Sequence, residues 1–229
     1  MKKVKVLLTK SFSDEYLKGF DADNLEWLQH PFIKFNYKHL PDLQKQIEAN
    51  SAPFIFTSQN AVIGFEKNAV LNEERKVCFC LNGATQSALK NSGWKTIATA
   101  NTSEALADKI VQSNITEAIF CCGNIRMNVI PDKLHKAAIE LREFVVYDTV
   151  FNATSVKQHF DLIVFFSPSG VESFFVSNSL SNEVIAFCIG ESTAQALSQF
   201  WKGRVVKSDT PSAKSLLHQI VAYSLNLAL

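Results

Sequence analysis

The sequence predicts an α/β protein of two related halves, each a parallel sheet covered on both faces by helices. Short apolar, β-branched runs alternate with segments of helical period along most of the chain. The turns between them are brief and rich in Ser, Thr and Gly. Three strand–turn–helix segments also recur, in one order, at two places.

The strand-like runs, in order, are KVLLT (5–9), PFIFT (53–57), KVCFCL (76–81), AIFCC (118–122), FVVYDTV (144–150), LIVFFS (162–167) and VIAFCI (184–189). Near-continuous apolar strands of this kind belong to parallel sheets buried on both faces, whose crossovers are right-handed. Between the runs lie helical segments: QNAVIGFEKNAV (59–70), ATQSALKNSG (84–93), TSEALADKIVQS (102–113) and STAQALSQFWKG (192–203). In the last, Ala194, Leu197 and Trp201 fall on one face, and Gly203 is expected to stop the helix as Gly93 does in the second. LLHQIVAYSLNLAL (216–229) reads as a packed final helix.

The repeat pairs IFTSQNAVIGF (55–65) with VFFSPSGVESF (164–174), NGATQSAL (82–89) with IGESTAQAL (189–197), and NTSEALADKI (101–110) with DTPSAKSLLHQI (209–220). Each hydroxyl turn read alone is a helix N-cap, since Ser and Thr accept from the first free N–H groups. Read together, the turns line the edge where parallel strands end, which is where open α/β sheets bind ligands. Helix N-termini there attract anions. Two such edges facing each other would line a cleft with N–H and O–H donors, suited to an acidic ligand without any basic patch.

Composition excludes several classes. The 229 residues are 47% hydrophobic and 20% charged, which argues against disorder. Basic residues number 23 against 22 acidic, so no nucleic-acid footprint is visible. The basic start MKKVKVLLTK carries too short an apolar run for a signal peptide, and no stretch reaches the ~18 residues of a membrane span. A soluble, cytoplasmic protein is expected. Cys78, Cys80, Cys121, Cys122 and Cys188 sit in or beside apolar runs and lack zinc-site spacing, which predicts reduced core thiols. The five histidines are scattered, and the phosphate loop, dinucleotide and hydrolase motifs are absent.

Seven segments in order, FTSQNAV (56–62), NGAT (82–85), CGNIRMNVIP (122–131), VYDT (146–149), FFSPSGV (165–171), IGESTAQAL (189–197) and TPSAKSL (210–216), resemble the uroporphyrinogen-III synthase family. The resemblance implies two doubly wound parallel-sheet lobes joined by a two-stranded connector. The first lobe would be discontinuous, 1–36 plus 152–229, and the second would be 37–151. It implies a monomeric lyase of heme biosynthesis without metal or other cofactor, and without nucleic-acid or membrane partners. Such an enzyme cyclises hydroxymethylbilane with inversion of the last pyrrole ring and loss of water.

Holding a flexible tetrapyrrole in one shape is catalysis by proximity and orientation, to which a proton donor for the departing hydroxide would add. Tyr147 matches the family's cleft tyrosine, and its other reading is a strand tyrosine packed at the lobe junction. The donors carried over by motif are Thr57, Ser58, Asn60, Thr85, Gly123, Arg126, Ser167, Ser169, Thr193, Thr210 and Ser212. Arg126 precedes Met127 where the family often has its basic residue, so that contact is either shifted by one position or lost. Two other classes stay open at this point: a two-lobed binding protein for a small anion, and a nucleotide-dependent α/β enzyme.

Overall fold

The computed structural model describes residues 3–48 and 51–227, with side chains as far as Leu225. It divides into two compact units, one made of residues up to Lys34 and from Val150 on, the other of Phe35–Thr149. Strands in chain order are β1 (Val4–Leu8), β2 (Leu25–Gln29), β3 (Ile33–Tyr37), β4 (Phe54–Phe56), β5 (Val77–Leu81), β6 (Lys95–Ala100), β7 (Glu117–Gly123), β8 (Glu140–Phe151), β9 (Leu162–Phe165), β10 (Ile185–Cys188) and β11 (Val205–Lys207). Helices are α1 (Asp14–Lys18), α2 (Leu43–Glu48), α3 (Gln59–Glu66), α4 (Ala84–Asn91), α5 (Ser103–Val111), α6 (Val129–Lys136), α7 (Pro168–Ser177), α8 (Glu191–Phe200) and α9 (Ala213–Leu227). The passages between units fall inside β3 and inside β8. Residues 228 and 229 of the expected final helix lie outside the described residues.

The discontinuous unit carries a sheet ordered β11-β10-β9-β1-β2, with every neighbouring pair parallel. The continuous unit carries β3-β8-β7-β4-β5-β6, in which the pairs from β8 to β6 are parallel. Central strands are apolar on both faces because both faces are covered. In the continuous unit Phe54, Phe56, Phe65 and Trp94 pack edge to face on one side of the sheet. Ile55, Phe79 and Phe120 meet Leu106, Ile110 and Leu134 on the other. In the discontinuous unit, Val6, Leu8 and Val164 face the α9 residues Leu216, Leu217 and Ile220. Leu7, Ile163 and Phe165 face Val171, Phe174 and Leu197 of α7 and α8. All five cysteines are free and buried in these cores.

The two sheets have one topology in permuted order. The sequence repeat equates β4, β5 and β6 with β9, β10 and β11, and those triplets run outward from the middle of each sheet. Continuing across the middle, β7 then corresponds to β1 and β8 to β2. One unit meets its triplet first in the chain and the other meets it last. In both, the strand order reverses between the triplet and the remaining pair, at β4/β7 and β9/β1.

Two sequence expectations need adjustment. No strand is read at β2, β3, β6 or β11, and these four are the sheet edges. Edge strands expose one side and lose the continuous apolar signature. Gly203 does not close α8 through a left-handed turn: the helix ends with Trp201 as an extended C-cap at φ −151°. Gly203 is required because a Cβ there would lie 2.0 Å from the Trp201 ring. Gly93 does adopt φ +77° after α4.

Candidate active site

In each unit the hydroxyl turns follow the C-terminal ends of parallel strands, so they share one sheet edge. Their helix starts fall into two kinds. Ser58, Thr102 and Ser167 are N-caps whose side chains accept from Asn60, Ala105 and Gly170 N–H at 3.1, 3.2 and 3.1 Å. Gly83, Asn128 and Gly190 open α4, α6 and α8 with no side-chain cap. The first N–H groups of those helices stay available to an outside acceptor.

At the reversal point of the continuous unit, the turn after β4 meets the turn after β7 and the neighbouring β8. Tyr147, on β8, is buried, and its phenol donates to Ser58 Oγ at 3.2 Å. Burial pushes the phenol above the usual tyrosine range, and the Ser58 hydrogen bond only partly opposes this. The ring stands edge-on to Phe35 at 5.7 Å. It also occupies the space beside Gly123, where a Cβ would lie 2.5 Å from its ring. Asn124 braces the strand behind it: its N–H donates to the Tyr147 carbonyl at 3.1 Å, and its Oδ1 accepts from Thr149 N–H at 2.7 Å. Asn60, in the first turn of α3, accepts at Oδ1 from the Tyr37 phenol at 3.0 Å.

Ser58, Asn60, Gly123 and Tyr147 therefore form one connected group. Thr57 is half-buried beside Ser58. Thr85 is buried in the first turn of α4, after the next strand along. Arg126 is held by an ion pair with Glu143 and a 2.5 Å bond to Asn128 Oδ1. Its charge is already matched by a carboxylate.

At the reversal point of the discontinuous unit, Ser167 caps α7 and lies 3.2 Å, Oγ to Oγ, from Ser169. Thr9, at the end of β1, is buried there, with both its N–H and its hydroxyl donating to the Val164 carbonyl. Thr193 is buried in the first turn of α8. Thr210 and Ser212 lie at the exposed entrance to α9, where Ser212 Oγ accepts from Ser215 N–H at 3.1 Å. These three follow β10 and β11 and are not joined to the Ser167 pair.

Sequence reasoning missed Thr9, Asn124 and Tyr37. Thr9 closes a quoted strand, but by strand register its counterpart is the core thiol Cys121, so no sequence similarity marks it. Asn124 sits inside a quoted motif. Tyr37 comes from an edge strand without a readable pattern. Among the described residues no group of three or more His, Cys, Asp or Glu could hold a metal ion, and no helix is long and apolar enough to cross a membrane.

Doubly wound parallel sheets, with hydroxyls, uncapped helix starts and a buried phenol at their reversal points, define the class as a two-lobed α/β protein. Comparison with known proteins makes the class specific. The family model described as uroporphyrinogen-III synthase HemD matches residues 14–218, and the chain belongs to that family of cyclising lyases in heme biosynthesis. It is 26% identical to the uroporphyrinogen-III synthase of Saccharomyces cerevisiae, with 97% of each chain covered. Two solved structures share its fold. The Helicobacter pylori uroporphyrinogen-III synthetase aligns at TM-score 0.68 and 17% identity, covering 97% of this chain and all of that one. A Thermus thermophilus uroporphyrinogen III synthase mutant aligns at 0.64 and 14%, covering 98% and 99%.

Proposed function

We propose that this chain closes hydroxymethylbilane to uroporphyrinogen III with Tyr147 as general acid and the hydroxyl turns as carboxylate donors. The proton on Tyr147 Oη moves toward the terminal hydroxyl of the substrate as its C–O bond breaks, and water leaves. The carbon so exposed is attacked by the substituted carbon of the last ring, giving a spiro intermediate. That intermediate breaks the original bond between the substituted carbon and its bridge. The freed bridge carbon is attacked by the ring's other α-carbon, and the proton lost from that carbon restores the Tyr147 phenol, leaving the ring inverted. The protein's main task is orientation, with effective molarity supplied by fixing both ends of the chain. General-acid help adds about 10²–10⁴-fold.

The observation that supports this reading is the buried, neutral Tyr147 phenol bonded to the cap Ser58 where the strand order reverses. Acetate and propionate groups suit the uncapped starts of α4 and α8, with Thr57, Ser58, Asn60, Thr85, Ser167, Ser169, Thr193, Thr210 and Ser212 as side-chain donors. Gly123 serves by making room for the phenol. Arg126, already paired with Glu143, would meet a substrate carboxylate only by exchanging that partner. The free thiols fit a reducing cytoplasm, and a monomer is the assembly proposed.

A coupled assay tests the whole reading. Hydroxymethylbilane is generated in situ by the preceding deaminase, this protein is added, and the products are separated. Isomer III is expected; isomer I alone would overturn the assignment.

A further inference from the structure

Tyr37 plays no part in the reading above, yet it joins the same hydrogen-bonded group from the other side. Its phenol donates to Asn60 Oδ1 at 3.0 Å. Asn60 N–H donates to Ser58 Oγ at 3.1 Å, and Tyr147 donates to the same oxygen at 3.2 Å. Two phenols therefore bracket one helix start, and Asn60 links them. The Lys67 ammonium lies 4.8 Å from the centre of the Tyr37 ring and steadies it.

An asparagine amide can present either an acceptor or a donor, and only its bonding partners decide which. An acidic substrate needs the donor. A phenol can donate or accept; here the Tyr37 phenol donates to Oδ1, with the amide oxygen turned toward it. The carbonyl faces Tyr37, and both Nδ2 hydrogens are left without a hydrogen bond among the described residues. The amide also sits in the first turn of α3, where the helix dipole favours an anion.

We infer that Tyr37 is a positioning residue for substrate carboxylates, holding the Asn60 side chain so that its NH2 group is the face a carboxylate meets. The inference rests on the site reading above and adds a residue to it. Tyr37 does not touch the reacting atoms. It acts through Asn60, so its loss weakens substrate binding and leaves the chemical step in place.

Steady-state kinetics of Tyr37→Phe, Asn60→Ala and the double variant, in the coupled assay, test this. Tyr37→Phe is expected to raise KM about five- to tenfold with kcat within about twofold, the scale of one ordinary net hydrogen bond. Asn60→Ala should raise KM at least as much, and adding Tyr37→Phe to it should raise KM no further. Asn60→Asp, which keeps the Tyr37 bond but replaces the donor with a negative acceptor, should raise KM beyond Asn60→Ala. Wild-type KM in Tyr37→Phe, or a double variant whose KM rise is the product of the two single rises, would overturn the inference. Additivity is what a merely structural Tyr37 would give. Tyr147→Phe run in parallel separates the two levels. If it loses kcat while Tyr37→Phe is silent, the site stands and only Tyr37 falls. If Tyr147→Phe and Asn60→Ala both behave as wild type, the site reading itself fails.

Discussion

Tyr147 combines a buried ring, a pKa raised by burial and a serine partner, which keeps its phenol protonated at neutral pH. Tyr147→Phe is expected to lower kcat by about 10²-fold or more while the melting temperature stays within a few degrees, checked by isomer analysis and thermal unfolding. Gly123→Ala tests the same ring from the other side. Its Cβ would lie 2.5 Å from the phenol carbon, so activity should fall with the ring displaced and stability should drop by about 1–3 kcal/mol. Cys188 gives a pH prediction. Burial pushes its thiol from the ordinary 9.0 up to about 12. The unfolded chain therefore releases this proton first as pH rises. The stability gained by burying the neutral thiol is whole below about pH 9 and is lost on the way to about 12. Melting curves across that window should fall steadily, and Cys188→Ala should flatten the fall.

Among the elements, a helix cap outside the proposed site tests architecture alone. Thr102 caps α5 through Ala105 N–H and is outside the set of donors assigned to substrate. Thr102→Ala should cost about 1 kcal/mol of stability, measured by denaturant unfolding, with kinetics unchanged. Gly93, at φ +77° with open space around its Cβ position, should cost about 1 kcal/mol on change to Ala purely through backbone strain. The central strands and the helices α3, α4, α5 and α8 were legible because burial on both faces, or on one helical face, imposes a period on the sequence. The edge strands β2, β3, β6 and β11 were not, since a half-exposed strand such as KTIATA tolerates almost any alternation. The illegibility of Tyr37 follows from its place on β3. Ser58 and Ser167, by contrast, stand where an apolar run meets a helix, and that junction is visible in the letters alone.

For the whole molecule, the repeat was readable as three matched segments, but the permutation was not. Local similarity cannot show that β1 and β2 play the parts of β7 and β8, because their sequences diverge and their order is reversed relative to the triplet. The family resemblance supplied what local physics could not, namely the reaction. The continuous unit offers a direct test of modularity. Residues 35–149 expressed alone are expected to melt cooperatively with mixed α/β circular dichroism, since the unit holds both of its hydrophobic clusters within that span. A non-cooperative melt would show that it needs the flanking segments to fold.

The interior seat of β1, between β2 and β9, has a consequence for how the chain is made. Its partner β2 follows at once, but β9, which must flank it on the other side, emerges only after the entire inserted unit; the Thr9–Val164 bond spans 155 residues. At about 5–20 residues per second, a ribosome leaves that flank unpaired for roughly ten to thirty seconds. Throughout this wait a bare Val-Lys-Val-Leu-Leu edge is open to other nascent chains. Codon choices that slow translation through the insert should lower the yield of native protein, and a holding chaperone should restore it.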